Sequence, residues 1–313
     1  MPILLAYIII IMIWSTTPLA IQWSTEVGFL FGVSSRMIVG TLICMLILKL
    51  KKQQLIWTKH SIIVYLCAAI GIYGSMLFVY WGALYVPSGI IAVVFGLAPI
   101  LTMILAKLLL DEPAIKYQQL GGMILALIGL YITAQTSLSE HKYFALGLGL
   151  LLISVSFHSL SAVLIKKYNR GYGALVTATG GLLISSTLLT LSWFVFDGKF
   201  PQQIPLHTLW SITYLGIIAT GIGFVLYYYI LSKISPVRLA LLTLITPMTA
   251  IVIGIIFNGE KLTYQITIGT LFIMTGLILN LVKRRKISVT KNVLPVSPLE
   301  DYKVTESNAK NIA

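Results

Sequence analysis

The chain has 313 residues, of which 58% are hydrophobic and 10% charged, and its mean hydropathy is +0.95. A water-soluble fold of this length has no interior large enough to hide that much apolar surface, so a soluble globular protein is excluded. The formal net charge of +13 would suit a nucleic-acid partner only if the lysines and arginines were gathered on one domain, and they are spread over short loops instead.

Runs nearly free of charge recur along the chain, each long enough to cross a bilayer core of roughly 30 Å. Ten spans are expected, at about 3–21, 28–48, 61–82, 87–109, 115–134, 143–165, 173–196, 208–231, 234–257 and 262–282. With the N-terminus inside, one set of loops holds Lys49, Lys51, Lys52, Lys59, Lys107, Lys116, Lys166, Lys167, Arg170, Lys233 and Arg238, and residues 283–286 add four more cations on that side. The other side holds Lys142, Lys199 and Lys261. Fifteen against three is the positive-inside bias. It predicts an all-α integral membrane protein of the cell membrane, a bacterial inner membrane by preference, with both termini cytoplasmic. The charge then needs no nucleic acid, and the partners expected are the lipid bilayer and a small-molecule substrate.

Span one, within "MPILLAYIIIIMIWSTTPLA", lacks the basic n-region and small-residue cleavage site of a signal peptide and reads as a retained helix. Trp14, Thr17 and Pro18 share one of its faces and are candidate substrate or gating residues. In span two, Arg36 lies ~12 Å along the helix at 1.5 Å per residue, from where it can partly snorkel to the outer interface. A structural or gating role, paired with Glu26 or a helix end, is favoured over direct substrate contact. Tyr80 in span three and Tyr228 in span eight are candidate ligands, although a tyrosine near a helix end is more often an interfacial anchor. Cys44 and Cys67 sit inside spans and imply neither a disulfide framework nor a metal site.

Pro99 falls midway along span four, which Glu112 closes. Span five carries Gly121, Gly122 and Gly129, and span ten carries Gly269 and Gly276. Such residues allow close helix packing; packing within the chain is favoured, with a homodimer surface as the alternative. In span six, Ser154, His158 and Ser161 stand at i, i+4 and i+7 on one face. His158 can hydrogen-bond a substrate carboxylate or titrate near neutral pH; the other reading is a neutral histidine bridging two helices. In span nine Thr243 and Pro247 share a face, and Glu260 closes the span. Glu112 and Glu260, at helix termini, read as structural or gating charges. Residues 287–313 are polar and without helical periodicity, as in a disordered cytoplasmic tail.

The chain also repeats itself. Pro99 to Glu112 and Pro247 to Glu260 are both 13 residues, and Tyr80 and Pro87 each precede Tyr229 and Pro236 by 149. A duplicated unit with five spans must enter the membrane upside down the second time, so the expected fold is two inverted five-helix repeats, 3–134 and 143–283. A proline within a helix frees a carbonyl that only neighbours or a water-lined cavity can satisfy. Paired interruptions at Pro99 and Pro247, with Pro18 in span one, therefore point to a binding site near the midplane and to helices that bend on gating.

On the stretches Pro99, Asp111, Glu112, Gly121 and Pro247, Gly259, Glu260, Gly269, together with "IWSTTPLAIQ", the "SSRMIVG" arginine and "GALYVPSGIIAVVFGLAPI", the chain resembles the EamA-type members of the drug/metabolite transporter superfamily over about residues 3–283. Asp111 replaces the usual glycine before the acid, and "ATGGLLIS" stands where a second arginine would be sought. The resemblance implies a ten-helix carrier of small metabolites, often an amino-acid exporter. The alternative cargo is a nucleotide-sugar or other phosphorylated metabolite, which would want several cations facing the cavity where only Arg36 and Arg238 are candidates. A membrane receptor or structural protein is the non-transport alternative, and it leaves the paired broken helices unexplained. An enzyme is not expected, since no HExxH, GxSxG, phosphate loop or metal cluster occurs, and no cofactor is expected either.

Overall fold

Apolar residues circle most helices of this chain completely, so pattern alone marks no inward face, and packing must be read from the structure. The computed structural model describes residues 2–110, 117–140, 143–240, 246–259 and 263–281. Residues Met1–Asn280 form one compact unit; of the second unit, Leu281–Ala313, only the first residue is described. The helices are α1 (Ile3–Ser24), α2 (Phe29–Leu50), α3 (Lys59–Ala83), α4a (Ser88–Phe95), α4b (Ala98–Leu109), α5 (Tyr117–Glu140), α6 (Phe144–Tyr168), α7 (Ala174–Phe196), α8 (Leu206–Lys233), α9a (Pro236–Ala240), α9b (Thr246–Asn258) and α10 (Tyr264–Leu281). No strand occurs among the described residues.

Among the described residues, seven stretches are long and apolar enough to cross a membrane: α1, α2, α3, Ser88–Leu109, α6, α7 and α8. Shorter apolar helices, Leu120–Ile132 and Thr246–Asn258, fall where the fifth and ninth spans were expected. Helix α1, with 22 residues, is ~33 Å long, the thickness of a hydrocarbon core. The surface is inside-out relative to a soluble protein. Met12 is 66% exposed, Leu42 60% and Phe194 72%, while Ser154, Thr177 and Thr179 are fully buried. Hydroxyls within helices satisfy themselves on their own backbone, as Thr41 does on the Met37 carbonyl at 2.7 Å and Thr179 on Leu175 at 2.8 Å.

The halves of the chain are interleaved. Helix α1 packs against α8, α9b and α4a, and α6 packs against α3, α4a and α4b, while α2 lies along α7 and the middle of α8. Helices α5 and α10 meet through glycines: a Cβ on Gly129 would sit 2.4 Å from the Gly269 carbonyl oxygen, and one on Gly276 the same distance from that of Gly122. Gly122, Gly129, Gly269 and Gly276 are thus used in packing within the chain, whereas a Cβ on Gly121 would meet open space.

Two features differ from the sequence expectation. Pro99 does not kink a continuous helix; α4a ends at Phe95, and Pro99 is the second residue of a fresh helix, α4b, where a missing N–H costs no helical bond. Pro247 is the second described residue of α9b, and residues 241–245 before it lie outside the described ones. Neither α3 nor α8 is a regular α-helix: Ile70–Gly74 and Leu215–Ile222 are π-helical, each with two glycines. Those glycines allow close approach, since a Cβ on Gly71 would lie 2.5 Å from the Ser161 side chain and one on Gly216 2.6 Å from Val39. Such π segments are frequent at functional sites.

Candidate functional site: a cleft between the halves

Helix α1 brings Trp14, Thr17, Pro18 and Ile21 onto one wall of an internal cleft of about 690 Å³, counting the space open to solvent. Because Pro18 has no N–H, the Trp14 carbonyl lacks its helical donor on the same stretch. Thr17 Oγ1 donates to the Ile13 carbonyl at 2.7 Å, so its lone pairs stay available as acceptors. Helix α3 adds Met76 and Val79 just beyond its π turn, and α4a adds Ile91, Ala92 and Phe95 just before the break. From the second half come His158 of α6, Ala219 and Phe224 of α8, and Thr246 at the start of α9b.

His158 sits in an aromatic cluster. Its ring centroid is 5.8 Å from Trp14, 6.0 Å from Phe95 and 5.2 Å from Tyr227. The two serines on its helical face do different work. Ser154 Oγ donates to the Ser75 carbonyl at 2.8 Å, and Ser161 Oγ donates to the Cys67 carbonyl at 2.7 Å. They tie α6 to α3 on either side of the π turn, and His158 between them faces the cleft. Ser161 itself is buried and does not line it.

Arg36 also lines the cleft, but it does not snorkel: it is 1% exposed. Its Nε and Nη2 both donate to Thr220 Oγ1 at 3.1 Å, and Nη1 donates to the Tyr80 hydroxyl at 3.4 Å. Thr220 belongs to the π segment of α8. Glu26, the acid expected beside Arg36, pairs instead with His207 Nε2 at 2.7 Å and accepts from the Thr208 hydroxyl at 3.2 Å. Glu26 lies in the turn between α1 and α2, so it can reach the start of α8 more directly than the middle of α2.

The remaining sequence candidates separate. Tyr80 is buried behind Arg36 as its partner, and Tyr228 is buried against Phe224 and Tyr227 and does not line the cleft. Arg238, a candidate cation for a phosphorylated cargo, is exposed and outside the cleft lining. Thr243, Glu112 and Glu260 lie outside the described residues. Sequence reasoning passed over Phe95, Thr220, Phe224 and Tyr227. The available signals were Phe95 four residues before Pro99, and Phe224 and Tyr227 one helical turn apart.

The model of the EamA-like transporter family matches residues 1–135 and again residues 145–282. An uncharacterized transporter of Archaeoglobus fulgidus is 28% identical over 69% of this chain and 77% of its own length. A probable amino-acid metabolite efflux pump of Escherichia coli is 26% identical over 62% of this chain and 67% of its own. A solved crystal structure shares the fold, with a TM-score of 0.67 at 17% identity over 88% of this chain and 95% of that one. With the family description met twice along nearly the whole helical part of a multi-pass membrane protein, the chain belongs to the EamA-like transporter family.

Proposed function

We propose that this transporter moves a small amphipathic metabolite, an amino acid or a related compound, out of the cell by alternating access to the cleft. The fold would be two inverted five-helix repeats, 3–134 and 143–283, with ten spans and both termini in the cytoplasm. One observation carries the reading: the cleft is walled by both halves of the chain, beside a helix break at Gly96–Leu97 and the π segment of α8. A site held jointly by two halves opens to one side or the other as they rock, which is how repeat-built carriers work. Its chemistry suits a molecule with an apolar body and polar ends. Trp14, Phe95 and Phe224 supply flat apolar walls, while Thr17 and Thr246 add hydroxyls to the same lining. The Escherichia coli relative, named for amino-acid metabolite efflux, supports the cargo class.

The test is flux in proteoliposomes holding purified protein and loaded with individual radiolabelled amino acids. Efflux above protein-free vesicles, competed by excess unlabelled compound, is expected for at least one apolar or aromatic amino acid. No protein-dependent flux for any of them would overturn the cargo class.

A further inference from the structure

Charge burial singles out one residue of the cleft. Among the described residues Arg36 is the only charged side chain in the lining, and no carboxylate lies within ion-pair distance of it. A buried charge is costly unless it is paired and hydrogen-bonded. The acceptors that Arg36 has are neutral hydroxyls, Thr220 for Nε and Nη2 and Tyr80 for Nη1. A guanidinium has five N–H donors, so one on Nη1 and one on Nη2 are left over, donors of the kind that a carboxylate accepts from.

The same contacts hold the group still. Tyr80 receives a hydrogen bond from Ser24 Oγ at 3.0 Å, and its ring lies 5.7 Å from the guanidinium carbon. Thr220 is fixed in the π turn, which packs so closely on α2 that a Cβ on Gly40 would meet the Thr220 side chain at 2.3 Å. A cation locked in place, without a counter-ion among the described residues and at the wall of a cavity, is a preorganised anion receptor.

We propose that Arg36 anchors the substrate by its carboxylate, with the apolar or aromatic body of the metabolite lying between Trp14, Phe95 and Phe224. This deepens, and rests on, the transport reading above. A carboxylate matches the single positive charge, whereas a phosphomonoester would bring up to two negative charges to one guanidinium.

Three probes with a common benzyl body separate the ends of such a molecule: phenylalanine, phenylpyruvate and phenethylamine. Binding to purified full-length protein is read by thermal stabilisation and by quenching of tryptophan fluorescence. Phenylalanine, phenylpyruvate or both are expected to bind, any difference between them reporting what the ammonium adds, and phenethylamine at least ~10-fold more weakly. Arg36→Gln should weaken the carboxylates roughly 10- to 100-fold and leave phenethylamine unchanged. Equal binding of phenethylamine and phenylalanine by the wild type overturns the anchor, as does failure of both carboxylates to bind or an Arg36→Gln protein that binds them normally. Should Arg36→Gln not fold, the wild-type comparison decides alone. Robust flux without carboxylate dependence would sink the anchor and spare the transport reading; carboxylate binding without flux would do the reverse.

Discussion

His158 and Ser161 stand three residues apart on one helical face, yet their surroundings differ. Ser161 donates to the Cys67 carbonyl in a buried helix contact, whereas His158 meets the cleft among Trp14, Phe95 and Tyr227. Truncation should therefore act differently at the two sites. His158→Ala is expected to lower substrate flux at least several-fold while the melting temperature in detergent stays within a few degrees. Ser161→Ala should cost about 0.5–1 kcal/mol of stability through the lost interhelical bond, with flux per folded molecule kept. Parallel flux and thermal-melting measurements check both; normal kinetics in His158→Ala would assign the ring to helix packing. Sequence spacing put Trp14, Thr17 and His158 on candidate faces, and all three line the cleft. It could not separate Tyr228 from its neighbour Tyr227, because both are buried apolar-faced rings and only packing decides which one meets His158.

At the scale of elements, the break in α4 and the π turn of α8 border the cleft, and the π turn of α3 ends two residues before Met76 in its lining. Prolines are visible in a sequence and the interruption near Pro99 was legible, although its form, a new helix rather than a kink, was not. The π turns carried no such signal. An extra residue per turn survives where a neighbouring helix presses against it, and the glycines at 71, 74, 216 and 221 make that approach possible. A side chain at Gly71 has no room, with the Ser161 side chain 2.5 Å from the added carbon. Gly71→Val is expected to destabilise the fold by about 1–3 kcal/mol through overpacking, seen as less monodisperse protein and a lower melting temperature. Gly149→Val, with open space around the added Cβ, is the matched control and should cost much less. Equal behaviour of the two variants would show that α6 does not bear on the π turn.

For the whole molecule, the position of the acids sets the expected energetics. A carboxylate that couples protons sits within the membrane, where desolvation raises its pKa into a useful range. Of the acids whose side-chain placement is described, Glu26 lies in the α1–α2 turn on His207 and Asp197 caps the end of α7. Neither reaches the cleft lining. Flux in proteoliposomes is therefore expected to run down the substrate gradient, or by exchange, with no accumulation driven by an imposed pH gradient. Gradient-driven accumulation that is lost on neutralising Glu112 or Glu260 would reverse this expectation. Reporter fusions test the ten-span proposal, which requires both termini on the cytoplasmic side. Termini on opposite sides would demand an odd number of spans.

Composition and the lengths of uncharged runs were enough to determine that this chain is helical and lies in a membrane, and repeated spacings marked its paired proline segments. Those properties follow from the solvent, since a bilayer accepts only backbones that satisfy their own hydrogen bonds. Which side chains meet in the cleft was decided by the tertiary structure alone. Helices apolar on every side have no amphipathic stripe to announce their inner face, so the facing of Phe95, Phe224 and Tyr227 depends on their partners. Arg36 shows the same limit most sharply. Its place in span two suggested a side chain reaching for the interface, but Thr220 and Tyr80, 184 and 44 residues away in sequence, hold it in the interior.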